Sequence, residues 1–251
     1  MINKNNFKLF YSELKYIFRF PFPEILFSIN FIFIIYSFKS PQNVNFYPIN
    51  YNYYIFIYIT KNVLSIFLFS SIIYSIIIST KFSLQLLDGS ISSYMLFPVN
   101  KEYFILSKII SYSILIISSE ILSFIFFILI ADVVDINIFY IFINILIWSF
   151  FTVSVAVFIS LILRNIFAPV ITFLICLYPG YFSINSNLFR HNYYLKGITY
   201  GPAALNFIKY KNFGIAIIPL YISMVTIGFI TLIIIIFTMN FFTKIDMRGG
   251  K

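Results

Sequence analysis

Few residues of this sequence could do chemistry. It has one histidine, His191, one cysteine, Cys176, and eight acidic residues. A single histidine excludes a His-based metal cluster drawn from this chain alone, and a single cysteine excludes an intramolecular disulfide. Asp132 and Asp135 form an Asp-x-x-Asp turn that could approach a cation. Two carboxylates fall short of the roughly six to eight oxygens that calcium takes, so a solvated turn is the simpler reading. Arg190-His191 reads as a surface pair, and Cys176, inside an apolar run, as a small core residue. Glu120 stands apart, deep in an apolar run with Ser113, Ser119 and Ser123 on or beside its face. A carboxyl group at such a depth faces a bundle interior, a cavity or a partner. Two readings stay open: a substrate-cavity or gating residue, or a protonated carboxyl hydrogen-bonded to neighbouring serines that holds helices together.

The elements that must position these residues follow from composition. The 251 residues are 61% hydrophobic, 22% aromatic and 10% charged, with a mean hydropathy of +0.96. A soluble domain carries about 25% charged residues, so this chain cannot cover a water-soluble globule. A soluble enzyme and a disordered chain are both excluded, and the remaining solvent is a lipid bilayer. The net charge of +9 is spread thinly over 17 Lys and Arg, with no dense basic stripe, so nucleic acid is not an expected partner. These cations read as topology signals and contacts to anionic lipid. The first 24 residues lack the apolar stretch and cleavage site of a signal peptide.

Crossing about 30 Å of hydrocarbon takes roughly 20 helical residues. Runs of that kind predict six transmembrane helices at 22–38, 62–80, 109–131, 138–163, 165–184 and 214–243, with Pro219 able to delay the start of the last. They are apolar on every face and do not alternate, which favours helices over a barrel. The expected fold is therefore an all-α integral membrane protein of the cell membrane. With both termini cytoplasmic, eleven Lys and Arg lie inside and six outside. Tyrosines before the second and sixth spans, among them Tyr47, Tyr58, Tyr193 and Tyr210, then fall on the outer side. They suit the headgroup layer there.

Residues 1–21 form the segment ahead of the spans. Lys4, Lys8, Ser12, Lys15 and Arg19 recur at helical spacing, while Phe7, Phe10, Tyr11, Leu14, Ile17 and Phe18 fill the other face. Pro21 and Pro23 end the pattern. This predicts an interfacial amphipathic helix, with Lys8, Lys15 and Arg19 toward lipid phosphate. It serves either as a passive anchor or as a lever on the first span.

The cytoplasmic loop, residues 81–108, is the most informative segment. Gly89 permits a turn after Asp88, Ser90 can cap a short helix from Ile91 to Phe97, and Pro98 ends it. Lys101 and Lys108 mark the return to the membrane. Pro98 and Val99 follow Gly89 at +9 and +10, and Lys108 lies ten residues after Pro98. In this the sequence resembles the ABC-2 type transporter permease family, whose loop runs Gly-Thr-Leu-Glu, Pro-Val, a basic residue and a Lys. Ser90 and Ile91 stand where that family has Thr and Leu, Ser92 replaces its Glu, and Asp88 is displaced by one from its acidic position. The six spans, the preceding amphipathic helix and the outer segment 185–213 match the same topology.

The resemblance implies the permease subunit of an ABC exporter. Asp88, Gly89, Ser90, Ile91, Pro98, Lys101 and Lys108 would form the coupling element against a separate ATPase; on the first of its two readings above, Glu120 would lie on the pathway. A second permease copy or a related chain would complete the pathway within membrane lipid. None of the eight glycines makes a P-loop, so no cofactor is expected on this chain; ATP and Mg would bind the partner ATPase. An amphiphilic cargo suits the aromatic chain. Glu120→Gln is expected to leave folding intact while changing transport or its coupling to ATP. The rival readings are a membrane-embedded enzyme built on Glu120, Asp132, Asp135 and His191, and a non-catalytic membrane scaffold.

Overall fold

The structure, a computed structural model, describes residues 4–19, 22–39, 70–91, 100–131, 136–177 and 213–244. The secondary structure among them is helical: α1 (Lys4–Ile17), α2 (Phe22–Lys39), α3 (Ser70–Leu87), α4 (Lys101–Ala131), α5 (Ile136–Leu163), α6 (Ala168–Leu177) and α7 (Phe213–Lys244). Four stretches are long and apolar enough to cross a membrane: Ser70–Leu87, Lys101–Leu129, Leu146–Leu163 and Val225–Lys244. The apolar stretch Pro23–Ile32 of α2 is shorter, and α6 has ten residues. The described residues thus carry four such helices where six spans are expected from sequence. Residues 62–69 and 178–184 of the expected second and fifth spans lie outside the described residues, as does the outer segment 185–213 with Arg190 and His191. The tyrosine groups at 47–58 and 193–210 also lie outside them.

Local chemistry explains the helix ends. Asn100 opens α4: its Oδ1 accepts the Glu102 N–H at 2.9 Å and its carbonyl accepts the Phe104 N–H at 3.0 Å. Glu102 places an acid in the first turn, where the helix dipole favours it. Arg164 follows the last residue of α5; its N–H bonds Ser160 O at 3.0 Å, and its φ of 47° turns the chain out of the helix. Asn165 Oδ1 then accepts the Phe167 N–H at 3.0 Å, and Pro169 sits in the first turn of α6, where its missing N–H costs nothing. Helix α7 continues through Pro219 from Phe213, so its start is not delayed past the proline.

The loop boundaries expected at Lys81 and Lys108 move inward. Helix α3 runs past Lys81 to Leu87, and α4 starts at Lys101, leaving 88–100 as the connection. A lysine marks the edge of hydrocarbon but does not stop a helix. The 31 residues of α4 make about 46 Å at 1.5 Å each. Crossing hydrocarbon takes about 30 Å, so the helix exceeds that length by some three turns.

Helices α4 and α5 form the centre. Helix α4 packs on α1, α2, α5 and α7, and α5 packs on α4, α6 and α7. The main core joins Ile17 of α1, Leu26 of α2, Tyr74 and Phe82 of α3, Tyr112 of α4 and Val157 of α5. Phe104 of α4 and Phe242 of α7 stack with ring centroids 6.1 Å apart.

Helix α5 is buried without a break from Thr152 to Val157, a run of small and β-branched residues that lets neighbours approach closely. Ser79 Oγ of α3 and Ser160 Oγ of α5 lie 2.8 Å apart, and Thr172 of α6 donates to Ser79 Oγ at 3.2 Å. Ser160 also reaches Ala156 O at 2.7 Å, so the hydroxyl seam is satisfied inside the bundle.

Candidate functional site

Two buried polar centres lie along α4, about 18 Å apart at 1.5 Å per residue between Lys108 and Glu120.

The first joins α1, α3 and α4. Lys108 Nζ lies 2.6 Å from Glu13 Oε2, with the two side chains 1% and 3% exposed. Lys108 also donates to Gln85 Oε1 of α3 at 3.3 Å. Aromatic rings complete the enclosure: Nζ is 5.5 Å from the Phe104 centroid and 6.0 Å from that of Tyr16. The other face of the joint is shared, since Lys81 Nζ lies 4.4 Å over the same Tyr16 ring. One lysine therefore binds groups from both helices that flank the 88–100 connection and from the N-terminal helix.

The connection leaves α3 through a defined turn. The Asp88 N–H bonds Leu84 O at 2.9 Å, and Gly89 takes a φ of 67°, a left-handed conformation that glycine adopts without strain. Ser90 turns back, donating its hydroxyl to Gln85 O at 3.0 Å. That bond ties Ser90 to the end of α3, whereas sequence assigns it to the start of the next helix. Ser90 and Ile91 are helical and Ile91 is buried; residues 92–99, with Ser92, Pro98 and Val99, lie outside the described residues.

Of the other residues singled out from sequence, Asp88, Lys8, Lys15 and Arg19 are exposed and Lys101 is half-buried. Lys108 is enclosed rather than presented at the surface. Its partner Glu13 is the residue that sequence reasoning missed. Glu13 interrupts the apolar face of the N-terminal pattern, and an acid there is the signal that could have found the pair. The face of α1 packed inward carries Leu9, Glu13 and Ile17; Tyr11 and Phe18 are exposed.

The second centre surrounds Glu120, which is fully buried. Its carboxyl oxygens lie 2.8 and 2.9 Å from Ser149 Oγ of α5. Beside it, Asn30 of α2 donates to Ser119 Oγ at 3.4 Å, and Tyr74 of α3 donates to Leu26 O at 2.9 Å. The Tyr74 hydroxyl also faces Asn30, Ser70, Ser119 and Glu120. Four helices thus converge on one polar cluster. Of the serines expected around Glu120, Ser113 bonds Ile109 O of its own helix at 2.8 Å, Ser119 takes Asn30, and Ser123 Oγ has no partner among the described residues. Asn30, Tyr74 and Ser149 come from other helices and carry no linear signal relating them to Glu120.

Among the described residues no group of three or more His, Cys, Asp or Glu could hold a metal ion. Asp132 and Asp135 lie outside the described residues. Cys176 is buried, in contact with Ser75 at 3.9 Å. No protein-family model matches the chain, and no curated protein or solved structure matches it.

Proposed function

We propose that the chain is the transmembrane permease subunit of an ABC-2 type exporter in the cell membrane, working with a separate ATPase that binds ATP and Mg. The observation that carries this reading is the connection between α3 and α4. Its Gly89–Pro98–Val99–Lys101–Lys108 spacing is the family-like feature of the sequence, and Gly89 makes a left-handed turn at its start. Lys108 ties the far stem of the connection to α3 through Gln85 and to α1 through Glu13. A push on the connection would reach three helices at once, which is what a coupling element needs.

On this reading the N-terminus and the 88–100 connection are cytoplasmic, and α1 is the interfacial helix, with Lys8, Lys15 and Arg19 toward lipid headgroups. Helices α2 and α6 belong to the first and fifth of six spans. Two copies, or one copy and a related chain, enclose the pathway. The cargo is amphiphilic, and Glu120 lies beside its route.

The test is biochemical. The tagged chain is purified from its native membrane in mild detergent, and any ATPase retained on it is reconstituted with it in liposomes. Co-purification and stimulated ATP hydrolysis are expected. Hydrolysis that is unchanged by the chain, with no ATPase retained on it, would count decisively against the proposal.

A further inference from the structure

We infer that Glu120 is a proton-binding site: its carboxyl group is held as the neutral acid, and the bound proton closes a reciprocal pair of hydrogen bonds with Ser149 that locks α4 to α5.

The geometry at Ser149 carries the argument. Its Oγ stands 2.8 Å from one carboxyl oxygen and 2.9 Å from the other. A serine hydroxyl has one proton, and an ionised carboxylate has only acceptors. With a carboxylate, the two short approaches must share that single proton as one bifurcated bond. A carboxylic acid supplies a second proton, so each approach becomes a full bond. One carboxyl oxygen donates its O–H to Ser149 Oγ, and the other accepts the Ser149 O–H. Both short distances then become hydrogen bonds, one in each direction.

Charge balance points the same way. Glu120 is fully buried in the C-terminal half of a helix long and apolar enough to cross a membrane. Among the described residues the one ion pair is Lys108–Glu13, about 18 Å away along α4 at 1.5 Å per residue, so it leaves no cation beside Glu120. The groups that the structure brings to it are uncharged: Ser149 from α5 on its carboxyl oxygens and the Tyr74 hydroxyl from α3 nearby. An unpaired carboxylate in hydrocarbon takes up a proton rather than bear the loss of hydration. The proton is therefore a ligand shared by two helices. Its removal would leave a buried charge with Ser149 as its donor among the described residues, and would open the α4–α5 contact there. This inference does not rest on the transport reading.

The experiment is an infrared difference spectrum of the full chain in lipid nanodiscs, wild type minus Glu120→Gln. A band in the carboxylic-acid carbonyl region, sensitive to deuterium exchange and absent from the variant, is expected. Ser149→Ala should keep that band and move it to higher frequency, because the carbonyl loses its donor. A variant that removes carboxylate stretches and no carboxylic-acid band would overturn the inference. A band unmoved by Ser149→Ala would overturn the lock. Thermal unfolding gives an independent reading. Glutamine can donate N–H to Ser149 Oγ and accept its O–H, so the midpoint should stay near that of wild type, while Glu120→Ala lowers it. Equal losses in both variants would argue against the reciprocal pair. Wild type should also melt alike in sodium, potassium or choline chloride. A higher midpoint in sodium or potassium would place a metal cation, not a proton, at Glu120.

Discussion

Glu13 of α1 and Lys108 of α4 form an ion pair at 2.6 Å with both side chains almost fully enclosed. Burial makes the two residues depend on each other. Each charge has left water, and the partner is what compensates it. The pair also pins α1 against the bundle at the level where α3 and α4 approach their connection.

Removing one member should therefore cost far more than removing both. Glu13→Gln or Lys108→Met alone is expected to destabilise the protein by about 3–5 kcal/mol, because the remaining charge stays buried. The double variant should recover much of that loss. The check is a double-mutant cycle on unfolding midpoints in detergent. Losses that simply add would show that the two charges are not coupled.

Gly89→Ala places a Cβ on a backbone with φ of 67°. The expected cost is about 1–2 kcal/mol. Gly89→Asn should cost less, since asparagine visits this region more readily. Both are read by thermal unfolding. On the proposed function, Gly89→Ala should also weaken stimulation of the partner ATPase, because the turn aims the connection.

Asn100→Ala removes the side-chain acceptor for the Glu102 N–H. A loss of about 1 kcal/mol is expected. Faster hydrogen exchange should be confined to the first turn of α4, with Asn100→Asp largely sparing it.

The α3–α5 contact depends on small hydroxyl residues. Ser160→Leu would force bulk into the 2.8 Å approach of Ser79 and should cost about 1–3 kcal/mol as an overpacked site. Ser160→Ala removes only hydrogen bonds and should cost about 0.6 kcal/mol, the average for such bonds between membrane helices. Similar losses in the two variants would show that hydrogen bonding, not close packing, dominates the seam.

Much of the helical plan was legible in the sequence because membrane helices are written in composition. Runs of Ile and Phe with few charges mark α4, α5 and α7, and Arg164 stands at the observed end of α5. Ends defined by Lys81 and Lys108 were legible only to within about two turns. A charge says where water begins for a side chain; Lys108 satisfies that need inside the protein, and the half-buried Lys81 partly over the Tyr16 ring. The cap at Asn100 was present as Asn-Lys-Glu, a local signal that a reading based on charge and hydropathy passes over.

The sequence by itself determined that this chain needs a bilayer and that its described elements would be helices. Too few charged residues exist to cover a soluble surface, and a backbone in hydrocarbon must satisfy its own hydrogen bonds. It also singled out Glu120 as the acid that hydrocarbon would penalise. Only the tertiary structure decided what compensates each buried polar group. Glu13 finds Lys108 across 95 positions, and Glu120 finds Ser149 across 29. Helical periodicity relates residues three or four apart on one surface. Which helix lies opposite is set by how whole faces pack, so these pairings first exist when the bundle does.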